Sequence, residues 1–174
     1  DPSLTGTHTS VFRASTPLRY LSVIVSRLNH ISDTRVALPA DPGEAAGSVV
    51  LSIDANPRQD REARELVEQA SDIIRFYTGL MGSYPYESLS LALVESGLPG
   101  GHSPAYATML NSPVPGTPFR WNNDPAAFSN FPEFFLAHEI AHQWWGQAVG
   151  WKNYHEQWLS EGFAQYFSAL YAQE

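Results

Sequence analysis

The stretch that decides how this chain folds is FFLAHEIAHQWWG, at residues 134–146. Its apolar residues recur at helical spacing, which predicts a helix. Asn130 and Glu133 precede it in the pattern of a capping box, so we expect the helix to begin near Asn130. Residues four apart lie on one face of a helix, with Cβ atoms about 5–6 Å apart. His138 and His142 should therefore present two imidazoles on the same face.

These two histidines belong to an HExxH pattern, His138-Glu139-Ile140-Ala141-His142. Two rings at this separation can bind one metal ion, at about 2.0–2.1 Å per bond for zinc. Glu139 lies beside the metal without binding it, where it can accept a proton from a water whose pKa zinc lowers toward 7. The pattern arises by chance in roughly one shuffled chain in a hundred. The plainer alternative is a pair of packing or surface histidines.

A second stretch, WLSEGFA at residues 158–164, supplies a third candidate ligand on a further predicted helix. Glu161 stands 19 positions after His142. A carboxylate as third ligand leaves one position of tetrahedral zinc open, which is typical of catalytic rather than structural sites. We therefore expect one zinc ion bound by His138, His142 and Glu161, with Glu139 as the general base.

HEIAHQWWG followed by WLSEGFAQY resembles the aminopeptidase-N and leukotriene-hydrolase family of gluzincin metallopeptidases. In that family HExxHQW(F/W)G is followed, after eighteen residues, by the ligand Glu of WLxEGFA, and both motifs and their spacing are matched here. The resemblance implies the same three zinc ligands and the same general base. It also implies that Glu156 orients a ligand histidine through its free ring N–H. The alternative for Glu156 is a solvated loop carboxylate.

Before the two helices that contain the motifs, the sequence predicts first strands, then a long helix, and then more strands. Apolar residues at helical spacing predict a helix over residues 57–79. The strands are predicted at residues 20–28, 48–54, 88–95 and 105–110. Strands and helices in this arrangement indicate an α+β fold. The resemblance implies the N-terminal lobe of a thermolysin-like domain, in which a small sheet packs on the helices that carry HExxH.

The resemblance also implies a division of the chain. We expect residues 1–55 to be trailing strands and a linker of a preceding β-domain, and residues 56–174 to be part of the catalytic domain, truncated after the third-ligand helix. In the family, a tyrosine that stabilises the oxyanion lies well beyond the ligand Glu, and neither Tyr166 nor Tyr171 matches it. Losing such a donor typically costs about 10²–10³ in rate. These residues alone should therefore be nearly inactive.

One family motif is changed. The Glu of Gly-x-Met-Glu-Asn binds the free amino terminus of a peptide, but here the chain reads Gly100-Gly101-His102-Ser103-Pro104, with Ser103 in place of the carboxylate. Without a negative group, nothing obvious at this place reads a terminal ammonium. We still expect Gly100, Gly101, His102 and Ser103 to lie at the substrate site. The strand that follows could hold an extended peptide as an added strand.

Composition and charge exclude several kinds of partner and site. A net charge of −8 offers no basic footprint for nucleic acid. The absence of cysteine excludes disulfides, thiolate nucleophiles and cysteine-rich zinc sites. No transmembrane segment is predicted, because prolines interrupt the uncharged run at residues 97–119. Truncation should expose apolar surface near Trp145, Phe163 and Phe167, which would allow self-association. The compartment stays unknown.

The leading interpretation is a zinc-dependent hydrolase of peptide bonds. Two alternatives stay open. One is hydrolysis of an epoxide or another small substrate on the same scaffold, and the other is a pseudo-enzyme or peptide-binding module that keeps zinc for stability. The intact Glu139 argues against the second alternative, because a purely structural site has no use for a base.

Overall fold

The computed structural model describes residues 9, 11–40, 43, 45–95, 100–112 and 133–174. Within these ranges the chain forms strands and helices as follows: β1 (Asn29–Ala37), β2 (Ser48–Ala55), α1 (Asp60–Met81), β3 (Ser88–Glu95), β4 (Gly101–His102), β5 (Ala107–Ser112), α2 (Phe134–Ala141) and α3 (Gln157–Tyr171). Short 3₁₀ turns at Pro57–Gln59 and Tyr154–Glu156 lead into α1 and α3. Asn130, the expected cap of α2, lies outside the described residues.

The five strands form one mixed sheet in the order β1-β2-β3-β5-β4. β1 pairs antiparallel with β2, the β2–β3 and β3–β5 pairs are parallel, and β4 pairs antiparallel with β5 at the edge. Parallel neighbours need a crossover connection, and α1 provides it between β2 and β3. A mixed sheet with packed helices confirms the expected α+β class.

The strand predicted at residues 20–28 is wrong. These residues form no strand, and the first strand of the sheet is β1, which begins at Asn29. Val25 is 94 % exposed, and Leu21 and Val23 are also exposed. A run rich in β-branched residues shows only that its side chains would fit a half-buried strand. Among the described residues this run pairs with no strand, so its composition does not produce one.

The sheet also crosses the domain boundary expected between residues 55 and 56. β2 ends at Ala55, before that boundary, yet it pairs in register with β3, with Ile53 opposite Leu91. Parallel strands are usually buried on both faces, and both of these side chains are fully buried. β2 must therefore be counted with the strands that follow it. The division of the chain into domains stays a prediction.

Helix α1 behaves as its spacing predicts. It buries one face against the sheet and the other helices, through Ala63, Leu66, Val67, Ala70, Ile73, Ile74 and Tyr77. It ends at Gly82, whose φ of 84° lies in the left-handed region and whose N–H bonds to the carbonyl of Thr78. Glycine takes that conformation without strain, so it is the usual residue at this place. No described helix is long and apolar enough to cross a membrane.

Tyr77 joins α1 to the helix with the histidines. Its side chain is fully buried, and its hydroxyl donates to the carbonyl of Ala137 at 3.1 Å. The ring meets Trp144 edge-on, with centroids 5.7 Å apart, and meets Phe167 of α3 in the same way at 6.2 Å. One aromatic side chain thus touches the three helices that surround the candidate site.

We predict that Tyr77→Ala lowers the free energy of unfolding by about 3–5 kcal/mol, since it empties a packed position. Tyr77→Phe should cost only about 0.5–1.5 kcal/mol, the usual worth of one hydrogen bond. Leu80→Ala, on the exposed side of the same helix, should stay within about 0.5 kcal/mol. Urea denaturation followed by circular dichroism measures all three. Equal losses for Tyr77→Ala and Leu80→Ala would contradict the packing described.

Candidate metal centre

Three side chains from two helices converge on one point. The Nε2 atoms of His138 and His142 are 3.2 Å apart, and Oε2 of Glu161 lies 3.5 Å from each of them. Ligand atoms around a tetrahedral zinc, at bonds of about 2.0–2.1 Å, are about 3.3–3.4 Å from one another. The triangle therefore has the size that a single zinc ion requires. Two imidazoles and a carboxylate are also donors that zinc binds.

The packing of α3 on α2 brings the carboxylate to the imidazoles. Trp145 stacks on Phe163 and Phe167 of α3, with ring centroids 4.6 Å and 5.3 Å apart. Beyond the end of α2 the chain turns at Gly146, whose φ is 106°. A Cβ at Gly146 would lie 3.3 Å from the Cβ of Ser160 in α3. A glycine is thus needed both for the turn and for the close approach of the two helices.

The charges of the three candidate ligands are coupled. Hydrogen bonds from His138 and His142 hold the pKa of Glu161 well below its ordinary value, although its side chain is half exposed. Burial alone would lower the pKa of His142, but its bonds to Glu161 and to the carbonyl of Trp145 outweigh burial and raise it. The Nδ1–H of His142 donates to that carbonyl at 3.0 Å, which leaves Nε2 as the ligand atom of the neutral ring.

Glu139 lies beside this triangle. It lines, with the three candidate ligands, a cavity of about 190 Å³, and it is only 5 % exposed. The hydroxyl of Ser103 donates to Oε2 of Glu139 at 2.5 Å. Gly101 of β4 packs against the same carboxylate, since a Cβ at this glycine would lie 2.6 Å from Cδ of Glu139. The edge of the sheet therefore contacts the candidate base directly.

Comparison with known proteins agrees with this geometry. The peptidase family M1 domain matches residues 132–174. Aminopeptidase O of Mus musculus is 32% identical over 94 residues, which are 53% of this chain and 10% of that protein. Endoplasmic reticulum aminopeptidase 2 of Bos taurus is 26% identical over 136 residues, 74% of this chain and 13% of that protein. The four candidate site residues, His138, Glu139, His142 and Glu161, all lie within the segment that matches the peptidase M1 domain.

A solved M1 structure shares the fold of this chain. It is a mutant of the M1 zinc metallopeptidase from Deinococcus radiodurans, bound to a Tyr-Ser-Ala substrate. It superposes with a TM-score of 0.55 at 21% identity, over 84% of this chain and 28% of that one. The present chain spans only about a tenth of the length of the curated relatives it matches. The solved relative is a zinc metallopeptidase, and the donor set described above fits that ion.

The stretch expected at the substrate site does line the cavity, but Ser103 does not face it as an open polar group. Gly101, His102 and Ser103 are lining residues, while Gly100, at φ 148°, turns the chain into β4 and accepts a hydrogen bond from the N–H of Asn111. His102 is exposed, whereas Ser103 is buried against Glu139. Ser103, the position at which the resemblance implies an amine-binding carboxylate, is thus turned inward in this chain.

Glu156 is placed differently from what the resemblance implies. Its Oε2 accepts the backbone N–H of Lys152 at 2.9 Å, and within the described residues no hydrogen bond joins it to His138 or His142. The 3₁₀ turn at Tyr154–Glu156 directs this side chain back toward the preceding loop. The Nδ1 of His138 is buried and has no hydrogen-bond partner among the described residues. The expected contact between Glu156 and a ligand histidine is therefore not formed in this structure.

The N-terminal segment contributes to the cavity, and no pattern in the sequence indicates this. Tyr20 lines the cavity and stacks on His102, with ring centroids 5.8 Å apart. Gln147 donates to the hydroxyl of Tyr20 at 3.1 Å. Arg19 lies over the ring of Trp151, 4.1 Å from its centroid. These contacts join residues far apart in the chain, so no periodicity or short motif could have indicated them.

We predict that Glu161→Gln weakens zinc binding by more than about 100-fold, since loss of an outer partner of a ligand already costs about 10–100-fold. Glu156→Gln is the matched control, and it should keep zinc affinity within about threefold, because Glu156 touches no ligand. Competition with a chromophoric chelator at fixed pH measures both. A loss in Glu156→Gln as large as in Glu161→Gln would show that the implied contact forms after all.

Proposed function

We propose that this chain carries the zinc-binding residues of a metallopeptidase that hydrolyses peptide bonds with water. The observation that carries this proposal is the triangle of 3.2–3.5 Å between His138, His142 and Glu161, with Glu139 beside it in one cavity. The aminopeptidase relatives support the proposal, and so does the relative solved with a tripeptide substrate. We propose a peptide as the substrate for the same reason.

The residues would divide the work as follows. Nε2 of His138, Nε2 of His142 and a carboxylate oxygen of Glu161 would hold the ion. When bound, zinc supplies a Lewis acid that makes water more acidic and polarises a carbonyl. Glu139 accepts the proton of the attacking water and passes it to the departing amine. Its Oε1 is the oxygen for this transfer, because Oε2 is engaged by Ser103.

The edge of the sheet is the proposed place for the peptide backbone. β4 is the outermost strand of the order β1-β2-β3-β5-β4 and lines the cavity through Gly101 and His102. An edge strand offers unpaired N–H and C=O groups to an added strand. An extended peptide on β4 would pass beside Glu139. This arrangement supports the finer proposal of a thermolysin-like lobe. A preceding β-domain within residues 1–55 stays a prediction, since β1 and β2 of that range pair into the same sheet as β3.

Self-association stays a prediction. Phe163 is 42% exposed, although it stacks on Trp145. Phe167 lies deeper in the same cluster and is partly buried. Sedimentation of these residues as a strict monomer would count against an interface there.

We predict that Glu139→Gln abolishes most peptide turnover in the full-length protein, because an amide cannot accept the proton of water. Zinc content and the free energy of unfolding should match the unsubstituted protein, since Gln keeps the size of the side chain. Release of a fluorogenic group from a peptide, with zinc measured on the same samples, tests this. Full activity in a zinc-loaded Glu139→Gln protein would rule out Glu139 as the base. Peptide binding without turnover in the unsubstituted protein would favour the binding-module alternative.

We also predict weak selection for a free amino terminus. Ser103 carries no charge, and its hydroxyl is engaged with Glu139, so it cannot supply the charge-assisted bond that holds an ammonium. The ratio of kcat/KM for a free peptide over its N-acetylated form should stay below about a hundredfold, or about 2.7 kcal/mol. The same peptide amidated at its C-terminus serves as the control for a change of charge at the other end. A larger ratio would show that another anion binds the amine.

A further inference from the structure

We propose that Ser103 and Thr108 are positioning residues that hold the carboxylate of Glu139 in one orientation for proton transfer. This inference rests on the function proposed above and assigns a new role to the position where M1 relatives are expected to carry an amine-binding carboxylate. It concerns two hydroxyl groups, neither of which needs to touch the substrate or the metal.

The two hydroxyls form a chain that ends on the base. Oγ1 of Thr108 donates to Oγ of Ser103 at 3.2 Å, and that oxygen donates to Oε2 of Glu139 at 2.5 Å. An ionised carboxylate only accepts hydrogen bonds, so the single proton of Ser103 must point to Glu139 and the proton of Thr108 to Ser103. The shorter distance is typical of a hydroxyl bound to a carboxylate. All three side chains are buried, which limits competition by water for these two hydrogen bonds.

The hydrogen bonds from Thr108 to Ser103 and from Ser103 to Glu139 restrict the side chain of Glu139, which would otherwise be mobile. Glutamate has three rotatable bonds, and a carboxylate at the wall of a cavity can adopt several rotamers. Ser103 holds one oxygen, and the backbone of Gly101 closes the space on another side of the carboxylate. No hydrogen bond to Oε1 is present among the described residues. One oxygen is therefore held while the other stays available as the base.

The segment with Ser103 is itself fastened to the end of the metal-binding helix. Gln143, one turn after Glu139, bonds three backbone groups at 3.0–3.1 Å: the carbonyls of Pro104 and Ala107 and the N–H of Tyr106. Gln147 donates to the carbonyl of Ser103 at 2.9 Å. Gln143 is fully buried. The part of the chain that presents Glu139 thus also fixes the position of the hydroxyl that holds it.

The kinetic test compares four variants of the zinc-loaded full-length protein. Ser103→Ala should lower kcat by about 10–100-fold, the usual effect of a small misplacement of a catalytic group. KM should change by less than about threefold, because the contact matters for the reaction and not for binding. Ser103→Thr keeps a hydroxyl and should restore most of kcat. Thr108→Val should lower kcat less, and it should add nothing in the Ser103→Ala background, since it acts through Ser103.

Ser71→Ala is the matched control. Ser71 is a buried serine of α1 whose hydroxyl donates to the carbonyl of Val67 at 2.7 Å, away from the cavity. Its loss should leave kcat unchanged. A fall equal to that of Ser103→Ala would show a general effect of removing a buried hydroxyl and would overturn the proposal. A rise in KM with unchanged kcat in Ser103→Ala would overturn it as well, because Ser103 would then act in binding.

Crystal structures of the same zinc-loaded proteins give a readout that does not depend on turnover. Glu139 should occupy one conformer in the unsubstituted protein and in Ser103→Thr, and two or more in Ser103→Ala. An unchanged single conformer in Ser103→Ala would overturn the positioning role whatever the rates. An unsubstituted protein that hydrolyses no peptide would instead refute the proposed function, and the conformers of Glu139 would still decide the role of Ser103.

Discussion

The close approach of α2 and α3 is the constraint on which the site depends. The four-residue spacing of His138 and His142 sets the distance between the imidazoles within one helix, but the third donor must be delivered by packing. Stacking of Trp145 on Phe163 and a glycine at the turn bring Oε2 of Glu161 to 3.5 Å from both rings. Zinc–ligand bonds tolerate only a few tenths of an ångström. The aromatic contact therefore helps to set the position of the third candidate ligand.

Helix α2 also contacts the edge of the sheet, through Glu139. Successive residues of a helix point about 100° apart, so Glu139 faces away from the direction of His138 and meets the edge strand β4. Gly101 is what allows that contact, because any side chain there would overlap the carboxylate. Tyr77 fixes α2 from a third direction through the carbonyl of Ala137. Packing from three directions explains how a helix of eight residues, together with His142 at its C-cap, holds three candidate functional side chains.

Local patterns predicted the parts of this molecule that local forces determine. The period of α1 and the four-residue spacing of His138 and His142 follow from sequence, because each depends on neighbours along the chain. The strand predicted at residues 20–28 failed since β-propensity does not specify a partner strand. In this structure Glu156 accepts the N–H of Lys152, because a loop residue can turn either way. The bond between Ser103 and Glu139 joins residues 36 apart, and only the folded chain brings them together.

The residue at position 103 cannot both bind a substrate ammonium and donate a hydrogen bond to Glu139. An ionised carboxylate there could attract an ammonium, but it could not donate a hydrogen bond to Glu139, and two carboxylates in contact would repel. A serine reverses both properties, since it donates to the base and offers the amine no charge. The buried place of Ser103, beside Thr108 and against Glu139, follows the second option. In this chain, holding the carboxylate of the candidate base Glu139 in one orientation and binding a free amino terminus are therefore alternative uses of position 103.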